Sequence, residues 1–319
     1  VASFAEVNRK LSRLRKRHVQ APWEQQFSYH LDRLLEHDGE GNALPRPILD
    51  ATGETRGILA VAGPGGGKTW TVHRTLSRHP ALRMQGDGSR PYIASTVPSG
   101  ATYKSMAQQL LVDSGYEMET TRRAGWESWE AFRHRVRTLG TAVLWIDEAH
   151  DLFRRENENI LPALKSLMQG DGAVVLILTG TEALDQVIRS DPQVKRRLST
   201  VRIPDVSVEH DRENFESLIE EYCDLVELEA AIESDLVDRL AHGARHQFGR
   251  VITTIVEAIE QALVSGDAVL TTQHFAEAYD LKEGCEPDRN VSLLPDWHRI
   301  DPDSDPFAPI LPMPRRRRR

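Results

Sequence analysis

A run of glycines ending in Lys-Thr, set between an apolar strand and a helix, restricts this chain more than any other feature. Gly57-Ile-Leu-Ala-Val-Ala62 reads as a buried strand, and it runs into Gly63-Pro64-Gly65-Gly66-Gly67-Lys68-Thr69 before an amphipathic stretch that ends near His79. A glycine loop between a strand and a helix N-terminus turns backbone N–H groups toward one point, and that point suits phosphate. The full pattern begins with glycine, and here Ala62 stands in the first position. Lys68 is placed to reach β- and γ-phosphates, Thr69 to give a hydroxyl to Mg²⁺, and Gly63 to Gly67 with Trp70 to line the phosphates. The ligand these residues imply is ATP with Mg²⁺.

Asp147 lies 79 residues after Lys68, ending the apolar run Val143-Leu-Trp-Ile, and Glu148 follows it. The carboxyl end of a buried parallel strand is where ligands bind in such sheets. Asp147 is expected to hold Mg²⁺, and Glu148 to orient and deprotonate the attacking water. Ala173 to Leu178 is a further strand, and Thr179 and Thr181 at its end are both candidates to contact the γ-phosphate or the water. Arg196 and Arg197 form an adjacent pair. Arginine keeps its charge and presents a rigid fork of donors, so either could stabilise transition-state charge on a neighbouring subunit's ATP. His150 has no second His or Cys at a metal-ligand spacing.

Apolar strands at 57–62, 91–97, 142–146, 173–178 and 201–203 alternate with helical stretches, which predicts an α/β fold with a five-stranded parallel sheet. The amphipathic stretches 4–19 and 23–37 precede it, with a turn-rich linker over 39–47. From 207 onward strands disappear, and helices over 211–228, 230–241 and 249–264, then one capped by Thr272, predict an all-helical lid. Beyond Gly284 the chain is rich in Pro and Asp and ends in five arginines, Arg315 to Arg319. That composition gives it little reason to fold alone. The divisions expected are 1–50, 51–206, 207–284 and 285–319. Two cysteines without a framework imply a reducing compartment, and no run is apolar enough for a membrane span. The formal net charge of -8 is unevenly spread. Residues 209–238 hold twelve Asp and Glu against Arg212 alone, while both ends are basic.

The glycine loop, Asp147-Glu148, a strand-end Thr, the Arg pair and the helical lid together resemble AAA+ ATPases. Within them the chain is similar to the TniB/TnsC/MuB group of transposition regulators. Three features carry that closer likeness: Arg17-His-Val-Gln-Ala-Pro-Trp23, Thr96-Val-Pro-Ser-Gly-Ala-Thr102-Tyr-Lys104, and an ending of about 35 residues after the lid, short for a winged-helix domain. The resemblance implies ATP-driven self-association into rings or helical filaments on duplex DNA, recruitment or activation of a transposase, and disassembly on hydrolysis. It also implies a sensor arginine in the lid, with Arg250 fitting and Arg245 as the alternative, and a cytoplasmic, prokaryotic setting with a target-selecting protein as a further partner. Thr102, Tyr103 and Lys104 beside a helix start, and Arg122-Arg123, are expected to meet the DNA backbone. The Pro-rich C-terminal tail is expected to dock on the transposase, and its Arg315–Arg319 run to bind either an acidic partner surface or DNA. Two other readings stay open: a replication initiator or helicase loader, and a nucleotide-switched adaptor that does not bind DNA.

Overall fold

The computed structural model describes residues 3–84, 86, 88–117, 124–153 and 160–304. It divides into two compact units. One is Gln20–Pro204. The other joins Val1–Val19 to Asp205–Arg319, so the N-terminal stretch does not form a unit of its own.

The chain opens on α1 (Phe4–Lys16), capped by the Ser3 hydroxyl, with Val7, Leu11 and Leu14 buried along one face. It belongs with the C-terminal unit, described below.

In the Gln20–Pro204 unit, α2 (Pro22–Asp32) starts on proline at its first position, where no N–H is needed. The sequence suggests that this helix continues to residue 37 and that a linker follows. Instead β1 (Leu35–His37) pairs antiparallel with β2 (Ala43–Pro47). The remaining elements alternate: β3 (Gly57–Val61), α3 (Lys68–Arg78), β4 (Tyr92–Thr96), α4 (Tyr103–Asp113), α5 (Gly125–Leu139), β5 (Val143–Asp147), α6 (Ile160–Leu167), β6 (Val175–Gly180), α7 (Glu182–Ser190), α8 (Pro192–Lys195) and β7 (Leu198–Arg202). The five strands from β3 to β7 form one parallel sheet in the order β4-β5-β6-β3-β7.

Strand periodicity explains the layering. Successive side chains face opposite sides of a strand. Leu59, Val61, Leu144, Ile146, Leu176 and Leu178 therefore enter one core, with Met106, Leu110 and Phe132. Ile58, Ala60, Val143, Trp145, Val175 and Ile177 enter a second core on the other face, with Phe27, Leu31, Val72 and Leu76. Both faces being covered, the strands can be apolar without alternation.

In the second unit, α9 (Val208–Val226), α10 (Leu236–Gly243), α11 (Phe248–Ser265) and α12 (Thr272–Glu283) enclose a core of Phe215, Ile219, Tyr222, Ile255, Ile259 and Phe275. Val7, Leu11 and Leu14 of α1 join that core. Basic residues of α1 and its C-cap pair with acidic residues of this unit: Lys10 with Glu227 at 2.9 Å, Arg15 with Glu260 at 2.9 Å, and Arg17 with Glu221. Such largely exposed pairs add little stability. The apolar stripe holds α1, and the charges select the surface it lies on.

Two expectations for the lid and one for the tail need correction. Strands do not vanish after 207, because β8 (Glu229–Ala230) pairs in parallel with β9 (Val269–Leu270). The last helix is capped by Thr271 and not Thr272; the Thr271 N–H donates to His274 Nδ1 at 3.0 Å. The stretch after Gly284 is packed as far as Ser304. Asn290 Nδ2 donates to the Ala276 carbonyl at 2.7 Å, and Arg239 donates to the carbonyls of Val291 at 3.0 Å and Leu294 at 2.7 Å. Cys285 and Val291 bury against Tyr279. Arg239→Met is expected to lower stability by about 1–3 kcal/mol, since two carbonyls lose a charged donor. Urea denaturation checks this, and an unchanged midpoint would refute the anchoring role.

Candidate nucleotide site

Parallel pairing brings the C-terminal ends of β3, β4, β5 and β6 to one edge of the sheet. The glycine loop leaves β3 at that edge. Gly65 and Gly67 lie in the left-handed region, with φ 85° and 90°, and Gly67 is the N-cap of α3. Ala62 has no positive φ. Its N–H donates to the Gly180 carbonyl at 3.2 Å, a backbone role that a methyl group does not disturb. This accounts for alanine where the motif has glycine.

Lys68 is buried, and its ammonium donates to the carbonyls of Ala62 at 3.1 Å and Gly63 at 3.0 Å. Burial lowers its pKa, and the carboxylates of Glu148 and Asp147 offset part of that effect. Thr69 Oγ1 donates to Asp147 Oδ2 at 2.7 Å. Asp147 Oδ1 accepts the Glu148 N–H at 2.9 Å and the Thr179 hydroxyl. The Trp145 indole donates to Thr179 Oγ1 at 3.0 Å. Thr179 is fully buried and directs its proton to Asp147, so in this arrangement it orients that carboxylate. Thr181 stands at the N-cap of α7.

The Thr69 hydroxyl and Asp147 carboxylate are hard oxygen donors already side by side, which fits Mg²⁺. That ion usually keeps waters and phosphate oxygens and takes only one or two protein ligands. Among the described residues no group of three or more His, Cys, Asp or Glu is placed to hold a metal ion.

Two aromatic residues flank the loop. The Trp70 ring is partly exposed, with the Arg74 guanidinium 5.3 Å from its centroid. Its side chain is thus turned to Arg74, and its contribution to phosphate would come through the backbone. The Pro22-Trp23 pair is conspicuous in the sequence, but local spacing gives Trp23 no role at the site. Its indole donates to Thr71 Oγ1 at 3.2 Å, and its ring edge would stand 3.4 Å from a Cβ at Gly67. It supports the loop from α2.

Arg196 and Arg197 precede β7, at the opposite edge of the sheet. Gly57 at the start of β3 bonds to the Arg197 carbonyl at 2.9 Å. A five-residue strand separates the two edges, roughly 16 Å. The pair differ sharply. Arg197 is 3% exposed, pairs with Glu54, and donates to the Lys165 carbonyl at 3.3 Å. Arg196 is 59% exposed and pairs with Glu54 at 2.9 Å.

Thr102 caps α4 through a reciprocal box with Ser105, which occupies its hydroxyl. Tyr103 packs on Trp129 at 5.5 Å between ring centroids. Lys104 is exposed at the same sheet edge as the glycine loop. Arg122, Arg123 and the terminal arginines lie outside the described residues. In the lid unit Arg245 pairs with Glu283 at 2.9 Å and with Asp303, which fixes it within that unit. Arg250 lies in the first turn of α11.

A glycine loop after the first core strand, Thr69 bonded to a strand-end aspartate, and the sheet order define an AAA+ P-loop ATPase fold with a helical second unit. Similar solved structures include the Aeropyrum pernix ORC1 protein in complex with DNA (TM-score 0.60, 19% identity, covering 83% of this chain and 66% of that one). Others are Cdc6p from Pyrobaculum aerophilum (0.58, 15%, 82% and 67%) and the Aeropyrum pernix ORC2 protein in its ADPNP-ADP complexes (0.57, 14%, 84% and 71%). The family model for the bacterial TniB protein matches residues 47–208, and the chain belongs to that family. No curated protein matches the chain. Among the described residues no helix is long and apolar enough to cross a membrane.

Proposed function

We propose that this chain is an ATP-dependent, DNA-binding regulator of transposition that assembles on duplex DNA, engages a transposase, and comes apart when ATP is hydrolysed. The observation that carries the ATPase part is the convergence of Lys68, Thr69, Asp147 and Thr179 at one sheet edge. Membership in the TniB family and the likeness in fold to a DNA-bound ORC1 protein support the DNA part.

On binding ATP, Lys68 exchanges two loop carbonyls for phosphate oxygens. Thr69 and Asp147 would hold Mg²⁺, which would supply charge neutralisation at the phosphates. Glu148 takes a proton from the attacking water, and Thr179 keeps Asp147 aimed at its ligand. Arg250, in the first turn of α11, serves as the lid sensor, as the family resemblance implies. Lys104 supplies a phosphate contact on DNA, and a repeated subunit multiplies it.

Arg196 is the arginine that acts on a neighbour's ATP. An arginine that acts in trans from the edge opposite its own loop would require a head-to-tail contact between subunits, and such contacts generate rings or open helices. Arg196→Ala is expected to cut turnover by about 10³-fold with little change in melting temperature. Arg197→Ala is expected to destabilise the fold by about 3–5 kcal/mol, because it breaks a buried pair. Equal activity of Arg196→Ala and wild type would refute the assignment.

The discriminating experiment measures ATP turnover with and without random duplex DNA, with micrographs of the chain, DNA and a non-hydrolysable analogue. DNA-stimulated turnover with rings or helices on DNA supports this reading. Turnover indifferent to DNA, with no assemblies, refutes it and favours the adaptor.

A further inference from the structure

We infer that His150 is a positioning residue for Glu148, holding the carboxylate where a base for water must stand. The inference rests on the reading of Glu148 as that base.

Glu148 is an unusual place for a base to be steady. Its side chain is 43% exposed, so the carboxylate has room to turn. Its backbone is fixed: φ is 53°, a left-handed conformation uncommon outside glycine. That conformation is held by the Glu148 N–H on Asp147 Oδ1 at 2.9 Å, and by the Asp151 N–H on the Glu148 carbonyl at 3.0 Å. The backbone therefore sets where the side chain starts and leaves its end free.

The imidazole of His150 occupies that end. Nδ1 is 3.3 Å from Glu148 Oε2, and Nε2 is 3.6 Å from Asp151 Oδ1. The ring is 13% exposed, and Nδ1 is buried without a hydrogen-bond partner among the described residues. A buried polar nitrogen is costly unless it is paired. A small turn of Glu148 toward Nδ1 satisfies it and fixes the carboxylate.

A space-filling role explains less. Ala149 and Leu152, on the same short turn, are fully buried and already fill the apolar side. A ring set between two carboxylates does not serve that purpose. A base held by a third group is the arrangement that makes general-base catalysis efficient, because the base must be within about 2.6–3.2 Å of its proton donor.

The test is DNA-stimulated ATP turnover by the full chain, with His150→Ala, His150→Asn, Glu148→Gln and the His150→Ala/Glu148→Gln double variant, beside ATP affinity and melting temperature. His150→Ala is expected to lower kcat by about tenfold, with KM and ATP affinity within about twofold of wild type. Asn keeps a donor near the place of Nδ1, so His150→Asn is expected to recover to within about threefold of wild type. The double variant is expected to match Glu148→Gln alone, because both act through one carboxylate. An unchanged kcat in His150→Ala overturns the inference. So does a loss that falls on ATP affinity, or a double variant that drops below Glu148→Gln by the same factor as the single change. If Glu148→Gln keeps wild-type turnover, or wild type has none, the reading of the base fails and the inference falls with it. An inactive Glu148→Gln beside a fully active His150→Ala removes the inference alone.

Discussion

Lys68→Ala is expected to abolish nucleotide binding in the working concentration range, and with it every nucleotide-dependent association with DNA. The ammonium is buried at 6% exposure and sits on two loop carbonyls, beside the carboxylates of Asp147 and Glu148. Its burial lowers its pKa, so the folded chain pays for keeping a charge there. Below the lowered pKa that cost is present in full, and it disappears as pH rises past the unfolded value. A buried cation kept at such a cost suits a site that awaits an anion. Removing one member of a buried charged pair costs about 2–5 kcal/mol, or at least thirtyfold in Kd. The loop N–H groups remain, so the loss is of affinity and not of fold. The measurement is the rise in melting temperature on adding Mg²⁺ and a non-hydrolysable ATP analogue, which a bound ligand produces by mass action. Wild type is expected to show a rise and Lys68→Ala none. A rise of equal size in the variant would contradict the site.

The parts of the site that sequence reveals are those fixed by local spacing. The loop, Thr69 and the Asp147-Glu148 pair each sit at a strand end, and continuous apolar runs mark those strands. Contacts between distant segments leave no such trace. The basic α1 pairs with Glu227 and Glu260 more than two hundred residues away, although each charge run alone suggested only polarity. The β1–β2 hairpin was hidden because Pro45 and Pro47 argue against a strand, and here they sit in a two-stranded sheet where fewer N–H groups are needed. The segment 285–304 has a composition that speaks for an unfolded tail, but Asn290, Arg239 and Val291 tie it down through single well-placed contacts. Arg196 and Arg197 are chemically identical neighbours. Only the burial of one against Glu54 and the Lys165 carbonyl separates them.

Glu148→Gln is expected to leave ATP binding intact and to stop hydrolysis, so that assemblies on DNA persist. Gln has the same length and keeps the hydrogen bonds of the backbone, and the side chain it replaces is partly exposed, so stability should hold. The ligands for phosphate and Mg²⁺, Lys68, Thr69 and Asp147, are untouched. What is lost is proton acceptance, since an amide does not take a proton from water near neutral pH. Acid–base catalysis of this kind contributes about 10²–10⁴-fold, and turnover should fall by that range. If hydrolysis drives disassembly, the lifetime of the DNA complex in ATP should then approach that seen with a non-hydrolysable analogue. The contrast with Lys68→Ala is informative, because one variant never loads and the other never unloads. Single-turnover hydrolysis and the decay of DNA-bound complexes after dilution measure the two arms. Turnover at the wild-type rate would move the base elsewhere. Slow turnover with normal complex decay would instead separate hydrolysis from release, and disassembly would then have to follow from nucleotide exchange at the Lys68 loop.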